Sequence, residues 1–386
     1  MYVSRVGLAL ALLVFLGSGS LSAQKKKPES SDDGYIPQVL PENKHKKQKK
    51  EDTQVLPLLP ELPNSVVADT DKLSFEVTPL SAKGLLSQQT RETLKNLLHS
   101  SRGTIVKLRA FVAGSGDLRR VTELTAEMFT EKHQPLPALS VLQVGGLPLA
   151  GAQIVMEATE MEKRVVNPNG IAFISGQSAS SISQSLEHLK TALRGAGLEP
   201  SDTLRITCFV SSLDDEKSGH LLMSGNFPNA AVNYVQMQRE QVTPAAECEA
   251  VARLRSAPSK AVNFLNPAGL DKSPNYSQVA LVNSPKLVIT GTQLAFGDQE
   301  NDLKLAFERL EKSLAGSGGS FSGLVMSHVY LTSSGIANKV RSVRTGYYNR
   351  EQPPASTMLP FEALPSLDAQ MGLDAIAVTS WSSGQH

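Results

Sequence analysis

The sequence predicts an α+β fold made of three tandem copies of one unit, and three observations carry that prediction. An order of strand-like and helix-like segments recurs three times after about residue 65. In each repeat a proline–alanine-type turn precedes an acidic residue at nearly the same distance: Ala138 to Glu157 is 19 residues, Ala231 to Glu249 is 18, and Ala355 to Asp374 is 19. The 386 residues are 40% apolar and 19% charged, which is ordinary globular chemistry with material for a large core.

The last third has the clearest pattern. KLVIT at 286–290 is a β-rich run ending at Gly291, and 302–314 places apolar residues at helical spacing before AGSGGS breaks the helix. LVMSHVYL at 324–331 alternates as a strand, 336–348 is a second helix, and 358–361 and 373–378 are further strands. The middle third repeats this order with a strand at 171–176, a helix at 181–193, a strand at 204–212, a shortened helix at 214–224, and strands at 232–237 and 248–254. The first third does so with helix 90–98, strand 104–112, helix 118–129 and strands 139–144 and 152–158, and KLSFEV at 72–77 stands in for the opening strand. A strand–helix–strand crossover is right-handed, so the helices are expected on one face of a mixed sheet. The expected boundaries are 66–160, 161–256 and 260–386.

Two segments precede the repeats. Residues 1–23 read as a cleavable export signal: Arg5, then the apolar run VGLALALLVFLG at 6–17, then small residues up to Ala23. That run is shorter than the roughly 20 residues a membrane span needs. The expectation is a periplasmic or secreted protein with no transmembrane segment after cleavage. Residues 24–64 hold eight lysines and two copies of QVLP, at 38–41 and 54–57, the composition of a solvated linker. After residue 64 the chain carries 29 Lys and Arg against 30 Asp and Glu. With aromatics at 5% and one Trp, neither a basic field nor a base-stacking surface supports nucleic-acid binding.

Specific stretches then carry a family resemblance. SPNYSQ at 273–278, VITGTQ at 288–293 and PPASTMLPFEALPSLDAQMGLDAIAV at 353–378 resemble the G-P-Y-S-Q, S-G-Q and P-P-A-R…E-A-I-A-V stretches of the Rid/YjgF-like family. These are the reactive-intermediate enamine/imine deaminases, also labelled endoribonuclease L-PSP. AEMFTEKHQPLPALSVLQVGGLP at 126–148 in the first repeat resembles the family too, as do ISGQ at 174–177 and CEAVA at 248–252 in the second. The resemblance implies a chorismate-mutase-like unit that assembles as a trimer with clefts between subunits. Three copies in one chain therefore imply an intrachain pseudo-trimer, monomeric in solution.

The resemblance also implies a site. In the family an arginine after P-A holds the substrate carboxylate bidentately, a task lysine performs poorly. Here Leu139, Val232 and Ser356 stand in its place. The final-strand acids Glu157, Glu249 and Asp374 are the catalytic candidates. Tyr276, Thr290, Gly291, Ser175, Gly176 and Ser356 are the substrate-binding candidates. Arg341 and Arg344 share a helix face before PPAS, and one of them, Arg341 first, is the candidate to replace the lost arginine. The acids also fit a structural role, and the arginines a solvated helix face.

Cys208 and Cys248 lie on strands that are neighbours in the family, so they are expected either to pair in an oxidising compartment or to remain buried thiols. The histidines show no metal-ligand spacing, and GSGGS at 316–320 neither opens a helix nor precedes a lysine, so no metal or cofactor is expected. The functional expectation is imine or enamine hydrolysis on a small molecule in a cleft between units. The alternative is a non-catalytic small-molecule-binding or interaction scaffold using the same clefts.

Overall fold

The structure, a computed structural model, describes residues 58–379 apart from residues 215 and 240–244, with the side chains of 216–218 also left aside. The expected export signal, and the linker up to residue 57, lie outside the described residues. In chain order the elements are β1 (Ser65–Asp69), β2 (Leu73–Val77), α1 (Leu86–Ser100), β3 (Gly103–Ala113), α2 (Leu118–Glu131), β4 (Ala138–Val144) and β5 (Ile154–Glu162). Next come β6 (Ile171–Ala179), α3 (Ile182–Gly195), β7 (Thr203–Val210), α4 (Glu216–Asn226), β8 (Ala231–Gln236) and β9 (Ala246–Arg253). The last set is β10 (Val262–Leu265), β11 (Val279–Val282), β12 (Lys286–Thr290), β13 (Gln293–Phe296), α5 (Glu300–Ala315), β14 (Leu324–Leu331), α6 (Ala337–Arg344), β15 (Ala355–Pro360) and β16 (Ala369–Val378).

Helix starts and stops follow local chemistry. Asp117 caps α2 by accepting from the Arg119 N–H, and Ser181 caps α3 by accepting from the Gln184 N–H. The helix expected at 336–348 ends instead at Arg344, where Thr345 and Gly346 turn the chain toward the two prolines ahead of β15.

The strands form three mixed sheets. Within them the orders β2-β5-β3-β4, β6-β9-β7-β8 and β12-β16-β14-β15 are the same arrangement: two antiparallel pairings followed by one parallel pairing, β3 with β4, β7 with β8 and β14 with β15. Two sheets are extended by strands from elsewhere in the sequence. β1 pairs antiparallel with β12, and β11, itself paired with β10, adds antiparallel to β6. Sheet hydrogen bonding thus crosses the boundaries drawn near residues 66 and 260. The ordered chain also reaches back into the expected linker: Leu62 packs on the core of the first sheet, and the Asn64 carbonyl accepts from the Gly291 N–H.

Each sheet buries one face under its own helices, through Leu94, Leu124 and Met156, through Leu189, Ile206 and Ala250, and through Phe307, Val329 and Leu373. The opposite faces meet one another. One shared cluster joins Phe111, Phe209, Tyr330 and Phe361, and another joins Val106, Phe173, Val251, Ile289 and Met326. No helix among the described residues is long and apolar enough to cross a membrane.

Candidate functional site

Because side chains alternate along a strand, residues two apart on β3, β7 and β14 point to the same inner face. Those inner positions read Lys107, Arg109, Phe111 on β3, Arg205, Thr207, Phe209 on β7, and Met326, His328, Tyr330 on β14. The middle member of each trio faces a final-strand acid across its sheet: Arg109 opposite Glu157, Thr207 opposite Glu249, and His328 opposite Asp374.

The three acids therefore converge in the interior. Arg109 donates to Glu157 Oε2 at 2.6 and 2.9 Å and to Glu249 Oε1 at 2.6 Å. Thr207 and Asn233 donate to Glu157 Oε1 at 2.6 and 2.7 Å. His328 Nδ1 lies 2.8 Å from Asp374 Oδ1, and its Nε2 lies 3.4 Å from Glu249 Oε1. Asp374 also accepts from Lys107 and Tyr330, at 3.1 and 2.9 Å, and from Ser140. All of these groups are buried.

Burial alone would raise the three carboxyls. The facing cations overcome it: Arg109 and Arg205 hold Glu157 below its ordinary value, Arg109 and His328 hold Glu249 well below, and Lys107 and His328 do the same for Asp374. Burial would likewise lower His328, but Glu249 and Asp374 raise it. The network borders a cavity of about 30 Å³, too small for an organic ligand. Glu157, Glu249 and Asp374 thus serve an ion network that ties the three sheets together. Thr290 belongs with them, its carbonyl accepting from Lys107 Nζ at 2.6 Å.

A larger cleft, about 140 Å³, opens between β6 and β9 on one side and β15 and α6 on the other. It contains four of the expected binding residues: Gly176, Tyr276, Arg341 and Ser356. Ser175 builds its wall. The buried Ser175 hydroxyl donates to the Ser277 carbonyl at 2.6 Å and accepts from the Ser356 N–H at 2.8 Å, pinning 273–278 between the two sheets. Gly291 stands elsewhere. A Cβ there would meet the Leu139 carbonyl at 3.0 Å, and Thr292 N–H donates to that same carbonyl. That turn is packed against β4 and residues 63–64.

Two further cleft residues carry chemistry: Arg344, the expected helix-face partner of Arg341, and Glu247, which was not expected. Arg344 is 3% exposed, and no carboxylate pairs with it among the described residues. Its Nη1 donates to Ser356 Oγ at 3.4 Å, its Nε has no hydrogen-bond partner, and its guanidinium lies 5.9 Å from the Tyr348 ring centre. Burial lowers its pKa, which still leaves an arginine charged at neutral pH. Glu247 accepts from the Ser178 hydroxyl, and burial pushes its carboxyl up to about 7 against that bond, helped by the charge of Glu249. Gly176 leaves room for it: a Cβ at 176 would lie 2.0 Å from Glu247 Oε1 and push the carboxyl aside. Tyr276 is also raised, by burial and then by Glu247.

Both residues left a trace in the sequence. Glu247 precedes Glu249 by two in AECEAVA and so shares its inner face, and Arg344 shares a helix face with Arg341. Arg344, the buried member of that pair, lies against the position where the family resemblance expects arginine and the chain has Ser356. Among the described residues no cluster could hold a metal ion. Cys208 and Cys248 are joined in a disulfide between directly opposite residues of β7 and β9.

The fold and cleft define an α+β protein that presents a small polar pocket between two sheets. Residues 270–379 match the family model described as Endoribonuclease L-PSP, so this segment is similar to that family. Among solved structures it is similar to the Rid-family protein YyfB of Yersinia pestis, at 15% identity over 31% of this chain and 99% of that one, with a TM-score of 0.28. It is also similar to a YjgF-family member from Mycobacterium tuberculosis (19% identity, 31% and 99% covered, TM-score 0.23). A third is a putative endoribonuclease from Thermotoga maritima (22% identity, 30% and 92% covered, TM-score 0.23). No curated protein matches the chain.

Proposed function

We propose that the cleft binds a small imine or enamine bearing a carboxylate and hydrolyses it to a carbonyl compound and ammonia. The observation that carries this reading is Arg344: a buried guanidinium, unpaired with any described carboxylate, in a cleft that also holds a carboxyl titrating near 7. A buried cation without an acid partner is costly to maintain and is a ready receptor for a ligand carboxylate.

Glu247 supplies the proton traffic. As carboxylate it takes a proton from water as the oxygen attacks the imine carbon. The C=N bond becomes a C–N single bond in a carbinolamine. Glu247 returns that proton to nitrogen, then takes the carbinolamine hydroxyl proton and passes it to nitrogen as well, so that the C–N bond breaks and ammonia leaves as the carbonyl forms. A group with a pKa near the working pH can both accept and donate. Arg344 holds the substrate so that the attack is effectively intramolecular.

In the same reading the chain is an intrachain pseudo-trimer of three Rid-like units, supported by the shared strand order of its sheets. It works as a monomer outside the cytoplasm, a reading supported by the signal-like first 23 residues and by the Cys208–Cys248 bond.

The test generates 2-aminoacrylate in situ with a dehydratase and follows its lifetime with the purified protein. We expect a shortened lifetime, slowed about 100-fold toward the uncatalysed rate by Glu247→Gln and restored in part by high substrate for Arg344→Lys. No acceleration on this or on neutral imines, with carboxylates still bound, would replace the enzyme by a binding scaffold.

A further inference from the structure

The cleft holds a second guanidinium that a monocarboxylate leaves unused. Arg341 lines the same pocket as Arg344, one turn earlier on α6, and lies close enough for its charge to depress the Arg344 pKa. Its contact on the protein is Nη1 to Asn338 Oδ1 at 2.8 Å, a neutral partner from its own helix. No described carboxylate forms an ion pair with either arginine. The two differ in setting, since Arg344 is buried at the base and Arg341 is exposed at the rim.

Resting on the carboxylate-cleft reading above, we propose that the preferred ligand is a dianion: a short-chain 2-imino dicarboxylic acid, its first carboxylate on Arg344 and its second on Arg341. Charge and size agree. Two guanidiniums at i and i+3 on one helix face offer two separate forks for two carboxylates. The remaining lining is small and hydrogen-bonding, with Ser178, Ser273, Asn275, Tyr276 and Ser356. A volume of about 140 Å³ suits a compact metabolite rather than a large apolar one.

The chemistry fixes the neighbouring reactions by class. A 2-imino dicarboxylate arises by two-electron oxidation of an acidic amino acid at its Cα–N bond, with the electrons passing to that enzyme's own acceptor. Hydrolysis here, C=N plus water giving C=O plus ammonia, yields a 2-oxo dicarboxylate.

The test is titration calorimetry of the full chain with succinate and with succinamate, which has nearly the same size and one charge fewer. We expect succinate to bind roughly threefold to fivefold more tightly at low ionic strength, the range for a partly solvated charge pair, and that ratio to shrink with added salt. R341Q, a change at an exposed position, should bring succinate affinity down to that of succinamate. Equal affinity for the two probes in the unaltered protein overturns the dianion assignment and leaves the carboxylate cleft standing. A succinate preference that survives R341Q overturns the role of Arg341. Failure of both probes to bind overturns the carboxylate cleft itself.

Discussion

Glu247 and Glu249 stand two residues apart on one strand face and are shifted in opposite directions. Glu249 meets Arg109 and stays ionised, whereas Glu247 has only the Ser178 hydroxyl against burial and rises to about 7. A carboxyl raised in the folded state binds its proton more tightly there than in the unfolded chain. Its contribution is intact below the unfolded value of 4.5 and is lost as pH rises through about 7. Glu247→Gln should therefore stabilise the protein at pH 8 by up to about 3 kcal/mol and leave it nearly unchanged at pH 4.5, measured by urea unfolding at the two pH values. Glu157→Gln should behave oppositely. It leaves Arg109 and Arg205 short of a buried counter-charge, and should cost about 3 kcal/mol or more at neutral pH, read from the same unfolding curves. A turnover defect in that variant without loss of stability would return Glu157 to the catalytic machinery.

At the scale of elements, β9 does three jobs with consecutive residues: Glu247 to the cleft, Cys248 to the helix-side core and Glu249 to the central network. The disulfide from Cys248 locks that strand to β7. Replacing both cysteines by alanine should lower stability by about 2–4 kcal/mol, since the bridge closes a loop with a sequence separation of 40 residues. Thermal unfolding of the double variant checks this, and an unchanged midpoint would mean that the bridge adds no net stability. Elements such as β3, α2, β12 and β14 were legible because their apolar residues repeat at one clean period. The strands β1, β10, β11 and β13 were not: they are short, and β1 and β11 pair with strands far off in sequence while β13 pairs across a bulge. The site divides the same way. Tyr276, Gly176 and Ser356 sit in motifs that survive as words in the sequence. Arg344 came within reach only as the partner of Arg341, because which of two residues on a helix face is buried depends on how α6 packs on β15. The roles of Glu157, Glu249 and Asp374 depended on which faces of three sheets meet, which no local pattern encodes.

For the whole molecule, the decisive feature is that the inner faces of the three sheets complete one another. Phe209 packs on Phe111 at 6.0 Å and on Phe361 at 5.7 Å between ring centres, and Tyr330 lies 5.5 Å from Phe361, so each sheet contributes to one aromatic cluster. Arg109 and Arg205 each reach Glu157 and Glu249, acids on two sheets, and His328 faces acids on two. A sheet taken alone would expose that apolar face and strand its half of the ion pairs, at a cost its own helix-side core would have to offset. Two consequences follow for one chain in solution. Light scattering should give the mass of a single chain, because the inner faces of the three sheets already cover one another within the molecule. Thermal unfolding should be one cooperative transition, with calorimetric and van't Hoff enthalpies equal. A stable assembly of three chains would mean that the inner faces leave other surfaces unsatisfied. Two resolved transitions would mean that the aromatic cluster and the ion network bind the sheets less tightly than their burial implies. Acid should act through the same network. The carboxyls of Glu157, Glu249 and Asp374 are all depressed, so their contribution is present above the ordinary carboxylate range and is lost as pH falls through their folded values. Because the three acids lie on three different sheets, protonating them should melt the molecule as a unit rather than release one sheet. Circular dichroism and intrinsic fluorescence, followed together below pH 4, should therefore trace a single coincident curve.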